Sequence, residues 1–365
     1  MRLRLNRRGA ASPKNTAEWQ PEGKAKPFRK TERRSRQAHR ILISMNWDTI
    51  KSRLLPKQGA RTGSFLLPSV VLDLQPSFIA GARLDRKSRQ VRRVAVRQIE
   101  DGALEPLAAR PNLVKQEVVR RAIREVLEAV GDRNDRLGVL LPDPSVRVAV
   151  LRFETLSSRR EEADALVRWK LGSILPFPPE EARVSYQLLA KSEQSVEVLA
   201  MAVRNSVVTE YEAALEDVGA GPALVLPATA ALLPLLPAGH QGSQVLVHVC
   251  SGSVTSVVVV GDGISFWRNR QSERVTTAGD EELISEFARV VAACRDHLKS
   301  EIEDVYIYVR PPAISLPDNE IGKVTGRRVQ LLSSPESHAG GLPPAEKKIL
   351  ESFGMTFAGL LENQN

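Results

Sequence analysis

Two cysteines in 365 residues cannot build a disulfide framework and point to a reducing compartment. No long apolar run is free of helix breakers. The strongest, GPALVLPATAALLPLLPAG from Gly221 to Gly239, is interrupted by Pro222, Pro227, Pro234 and Pro237, so it reads as a strand and short helix rather than a membrane span. There is no Gly-x-Ser-x-Gly elbow and no Walker loop, and Ser, His and Asp are scattered, which leaves hydrolase chemistry without a foundation. The central apolar segment and small-residue cleavage site of a secretory signal are missing as well.

What is present starts with charge. The formal net charge of +9 would suit a nucleic-acid binder if it were spread over the body, but residues 1–44 hold thirteen Lys and Arg against three acids, and the remainder is close to neutral. No nucleic-acid partner is expected. The leader is polar and lacks periodic apolar residues, so it is predicted to be a disordered basic segment, 1–44. A start of translation at Met45, where a more protein-like stretch MNWDTIKSRLLP begins, is an equal reading.

One pattern of strands occurs twice, roughly 176 residues apart. SVVLDLQPSFIAGARLDRKSRQVRRVAVRQI, from Ser69 to Ile99, has the order apolar run, turn, run, charged turn, run, and QVLVHVCSGSVTSVVVVGDGISFWRNR, from Gln244 to Arg270, repeats it. Each is followed by helical spacing, at Leu113 to Val130 and at Glu281 to Lys299. Two meanders, each heading its own α/β half, predict an internally duplicated molecule with two lobes and a cleft between them.

In this order the chain resembles the actin-like PilM family of type IV pilus assembly proteins, relatives of FtsA, over about Phe65 to Leu361. The segments that carry the resemblance are LPFPPEEARVSYQLL followed by VEVLAMAVRNSVVTEYEAALEDVGAGP, and the closing FGMTFAGLL. The resemblance implies a duplicated actin-like, ribonuclease H-like fold. It would comprise a first lobe over 65–243 carrying a small α+β insert at about 145–195, and a second lobe over 244–365. It also implies a cytoplasmic protein at the inner face of the inner membrane, reaching the membrane only through a partner. That partner is the cytoplasmic tail of a PilN-like inner-membrane protein, held in a groove of the first lobe, with self-association and contact with pilus motor components as further expectations.

Actin-like proteins cradle ATP between two hairpin turns, with an acid holding the magnesium water shell. The first turn here is DLQPSFIAG, which keeps Asp73 and Ser77 but has Pro76, without an N–H, in the turn. The second is HVCSGSVT, where His248 replaces the expected acid and Ser251, Gly252 and Ser253 could still form an anion nest. Arg310, Pro311 and Pro312 stand where a Gly-rich adenosine turn is expected, and Gly279 follows the second meander at a further nucleotide-cleft position. These departures predict a pseudo-ATPase with no cofactor, weak ATP and magnesium binding being the alternative. A nucleotide-gated scaffold, a sugar or acetate kinase and a GspL-like secretion component are the competing functions. His248, Cys250, Cys294 and His297 supply zinc ligand types without zinc-module spacing, so no metal is expected. Trp169, Phe177 and Tyr186 are open between core and partner surface.

Overall fold

A computed structural model describes residues 68–131, 136–239, 242–261, 263–271, 280–311 and 317–362. The basic leader, Met45, Gly279 and Pro312 lie outside these. All described residues belong to one compact unit, Ile41–Asn365.

The duplication is realised strand for strand. β1 (Val70–Gln75), β2 (Phe78–Asp85) and β3 (Gln90–Gln98) form the first antiparallel meander, and β4 (Arg136–Leu141) and β8 (Gly221–Pro227) extend it in parallel, giving the sheet order β3-β2-β1-β4-β8. β9 (Ser243–Cys250), β10 (Ser253–Val260), β11 (Gly263–Gln271), β12 (Ile302–Arg310) and β13 (Val329–Leu331) repeat that order as β11-β10-β9-β12-β13. The central strands are buried on both faces, which is why VVLDL and VLVHV read as almost unbroken apolar runs. β1 and β9 turn into their partners through two residues, Pro76–Ser77 and Ser251–Gly252. Asp73 and His248 therefore hold the same position, each two residues before the end of its strand.

Between β4 and β8 the chain leaves the sheet to build an insert: β5 (Arg147–Phe153), α2 (Arg160–Leu171), β6 (Ala182–Lys191) and β7 (Val196–Arg204). Its sheet has the order β5-β7-β6, and one face closes on α2 through Phe153, Val167, Leu171 and Val198. The third strand runs on to Arg204, past the expected limit near 195. Helix α1 (Gln116–Val130) covers one face of the first sheet with Val119, Ile123, Val126 and Val130, and ends on Gly131 at φ 71°. α3 (Asn205–Glu216) follows the insert.

In the second lobe α4 (Asp280–Ala293) packs Leu283, Phe287 and Val290 on the sheet and continues as a π turn over Cys294–Leu298 to a cap at Lys299, the span its spacing predicted. α5 (Asp318–Thr325) follows β12. The closing helices α6 (Pro344–Phe353) and α7 (Met355–Glu362) depart from the sequence reading, which gave them to the second lobe. Leu350, Phe357, Leu360 and Leu361 pack with Val71, Phe78 and Ala80 of the first sheet. The apolar face of β1 and β2 opposite α1 needs a cover, and the chain supplies it from its last described residues.

Candidate functional site

The two hairpin turns meet. Ser77 Oγ lies 3.4 Å from Ser251 Oγ, so two of the nucleotide-cleft positions picked from the sequence face each other across the lobes. Gly252, at φ 76°, sits at the tip with open space around its α-carbon, while Ser253 is buried at the base of β10.

Behind these turns the space between the sheets is filled by the protein's own charges. Asp73 is fully buried and accepts hydrogen bonds from Gln75 Nε2 at 2.7 Å, Thr356 Oγ1 at 2.8 Å and Arg310 Nη1 at 2.5 Å. Arg310, at the end of β12, is the largest fully buried side chain among the described residues. Its guanidinium lies 5.7 Å from the ring centres of both Phe78 and Tyr308. Burial works against its charge, but the Asp73 carboxylate outweighs that and holds the guanidinium protonated.

A second acid–base pair lies beside the first. Asp143, in the 3-10 turn after β4, points Oδ2 at His248 Nδ1, 3.3 Å away. Oδ2 also accepts from Thr255 Oγ1 at 2.8 Å and from the Thr229 hydroxyl, and Oδ1 accepts the Thr229 N–H at 3.0 Å. Burial alone would raise the Asp143 pKa, yet the His248 ring and the Thr229 donors bring it below the usual carboxylate value.

The protonation of His248 follows from charge balance. Arg310 Nε lies 2.9 Å from His248 Nε2, and because a guanidinium only donates, that contact alone would require a neutral ring. Two buried carboxylates against one guanidinium would then leave a net negative charge in a site closed to water, which is the costlier arrangement. Burial and the Arg310 guanidinium oppose the ring's charge, but the Cys250 sulfur and the Asp143 carboxylate outweigh them and lift the His248 pKa to about 9. Cys250 Sγ lies 2.9 Å from Nε2 and accepts from Arg310 Nε at 3.4 Å.

The two pairs are related by the duplication. The first lobe supplies both acids and the second both bases, and in each pair a residue near the end of a central meander strand meets one at the end of the other lobe's neighbouring parallel strand. A magnesium nucleotide does not fit these residues as they stand. Both oxygens of Asp73 are taken, a histidine replaces the second acid, and Arg310 supplies the positive charge beside Asp73.

Arg310 was visible in the sequence only as an obstacle to an adenosine turn, and Asp143 and Thr356 were not singled out at all. Asp143 sits in a PDP turn after an apolar strand and Thr356 inside the closing FGMTFAGLL segment, so both lay at legible places without a legible role. The zinc ligand types do not converge. His248 and Cys250 point between the lobes, Cys294 lies in the core on the other face of the second sheet, and no metal-holding group occurs among the described residues. In the insert, Phe177 is buried, Tyr186 is half-buried and Trp169 is 74% exposed.

No protein-family model matches the sequence, and no curated protein matches it. Among solved structures, the PilM–PilN type IV pilus biogenesis complex is similar, with a TM-score of 0.67 at 16% identity, covering 81% of this chain and 98% of that one. The cytoplasmic domain of EpsL, an inner-membrane component of the type II secretion system of Vibrio cholerae, overlaps at a TM-score of 0.44 and 12% identity, covering 73% of this chain and 90% of that one. MreB5 of Spiroplasma citri bound to AMPPNP overlaps at 0.37 and 8% identity, covering 77% and 95%. The two lower scores carry no weight. With its twice-repeated sheet order and its insert, the chain has the two-lobed actin-like fold, in the form seen in the pilus complex.

Proposed function

We propose that the chain is a non-catalytic actin-like scaffold of a type IV pilus or related secretion apparatus. It acts in the cytoplasm at the inner face of the inner membrane and binds the cytoplasmic tail of a PilN-like inner-membrane protein. The overlap with the PilM–PilN complex over 98% of that chain supports the system and the partner. The observation that carries the non-catalytic part is the buried bond from Arg310 to Asp73, with a protein cation at the acid an ATP-binding relative would use for its magnesium shell. No helix among the described residues is long and apolar enough to cross a membrane, which accords with attachment through a partner.

The insert is the favoured docking place. Trp169, Ile174 and Leu188, at 74%, 45% and 43% exposure, are three of its large apolar side chains left in water, and β6 is an edge strand to which an extended peptide can add. Two titrations test the reading. A peptide of the PilN-like tail should bind the full chain and quench Trp169 fluorescence, and Trp169→Ala should weaken it. Millimolar Mg-ATP should leave the unfolding midpoint unchanged, whereas a ligand at 100 times its Kd would add about 2.7 kcal/mol. A midpoint raised by Mg-ATP but not by Mg-ADP or by magnesium alone would replace the scaffold with a nucleotide-gated one.

A further inference from the structure

The β2–β3 hairpin is basic beyond anything its fold needs. Between Arg83 and Gln98 the chain carries seven arginines and lysines against one acid, Asp85, while the residues from Pro68 onward sum to about −4. Asp85 is occupied in building the turn. It accepts Lys87 N at 3.0 Å and Ser88 N at 3.3 Å, and holds Arg92 at 2.7 Å, which draws its pKa well down. Arg97 pairs with Glu125 at 3.0 Å, and Arg93 reaches Glu346 only at 3.8 Å.

Two features go against the hairpin's own stability. Arg83 and Arg93 are direct cross-strand neighbours, both exposed, and like charges so placed repel. Arg83 donates to the Gly131 carbonyl, not to a carboxylate. Arg86 has an Nη1 shut off from solvent with no hydrogen-bond partner, and neither Arg86 nor Lys87 has an ion-pair partner among the described residues. A sheet that sets arginine against arginine at an exposed pair gives up stability that nothing among the described residues offsets.

We infer that the turn and open end of this hairpin, Arg83, Arg86, Lys87 and Arg93, form a docking surface for anionic phospholipid headgroups. Charge complementarity names the class, and composition selects within it. The hairpin holds no aromatic residue on which a single-stranded nucleic acid could stack. It also has no apolar anchor for a specific acidic peptide, since the exposed large apolar side chains, Val114, Trp169, Ile174, Leu188 and Leu331, all lie elsewhere. A planar anionic surface needs neither. The inference is independent of the partner tail and gives the scaffold a second contact with the bilayer.

The test is co-sedimentation of the full chain with vesicles of phosphatidylcholine alone and with a one-third share of phosphatidylglycerol, at about 0.1 M salt. Binding is expected only to the anionic vesicles. At about 1 kcal/mol per cation near the surface, Arg86→Gln/Lys87→Gln should weaken it about thirty-fold. Arg295→Gln/Lys323→Gln, which removes two exposed cations from the second lobe, should leave it within two-fold. Equal losses in the two variants, or no loss in either, would overturn the inference, because both retain the basic leader and binding would then follow total charge or the leader. Binding to poly-uridylate or duplex DNA that depends on Arg86 and Lys87, without binding to vesicles, would overturn it in favour of nucleic acid.

Discussion

The two lobes share one sheet order and one turn geometry, yet the residues at matched positions have opposite charge. Asp73 on β1 corresponds to His248 on β9, and each looks across to the end of the other lobe's parallel strand, to Arg310 and Asp143. A repeated backbone thus gives two copies of a site, and side-chain divergence turns the copies into complements. Proteins of this fold that bind nucleotide need like-charged acids around a magnesium. Here acids on one side and bases on the other pair with each other, leaving Arg310 Nη2 buried without a hydrogen-bond partner.

The sharpest way to break that comparison is to remove one charge. Arg310→Met leaves Asp73 buried beside only Gln75 and Thr356 and should cost about 3–5 kcal/mol, as loss of one partner of a buried pair does. Urea unfolding of the single variant and of Arg310→Met/Asp73→Leu measures the coupling. The double variant should recover most of the loss, and a double variant as unstable as the single would mean the pair is not what joins the lobes.

The closing helix offers the next largest effect. A β-carbon on Gly359 would stand 1.9 Å from the Ala231 carbonyl oxygen, which is backbone and cannot swing aside. Gly359→Ala should cost about 1–3 kcal/mol, the range for overpacking, in thermal or urea unfolding. It tests how far the first lobe depends on the cover that the closing helix supplies.

The second acid–base pair should show in the pH profile. His248 is raised from 6.5 to about 9, so its contribution is complete below pH 6.5 and lost as pH rises through about 9. Asp143 is lowered from 3.8, so its contribution is present above that value and lost as pH falls through its depressed pKa. Stability should therefore fall between pH 6.5 and 9, and His248→Gln should flatten that slope and weaken the acid-side dependence as well, because the ring is the main group holding the Asp143 pKa down. Unfolding free energy measured at several pH values between 5 and 9.5 checks this.

Trp169→Ala should have the smallest effect on stability, within about 0.5 kcal/mol, because the ring is in water. The same variant should lose affinity for the partner tail in calorimetry, separating the insert's docking role from the interlobe contacts.

Much of the fold was legible in the chain because strand and helix periods are local. The meanders, the insert's strand-helix-strand-strand order and the kink-rich Gly221 to Gly239 segment all follow from spacing and breakers within a few residues. Where the closing helices pack was not legible, since an amphipathic helix states that it needs a cover and not which one. Of the candidate site residues, Asp73, Ser77, Ser251, Gly252 and Ser253 gather around the meeting turns, whereas Gly279 lies outside the described residues. Arg310 read as damage, because a lone arginine next to prolines shows nothing of the acid it will meet.

By itself, then, the sequence determined a duplicated α/β scaffold, the two turns that face each other and the places where a nucleotide site departs from its usual chemistry. Only the tertiary structure decided what those departures do. Asp73 meets Arg310 across 237 residues and Asp143 meets His248 across 105, and such pairs are fixed by how two sheets pack. The physical reason is range. Backbone periodicity is written in adjacent residues, while a buried charge takes its meaning from whatever the fold places beside it.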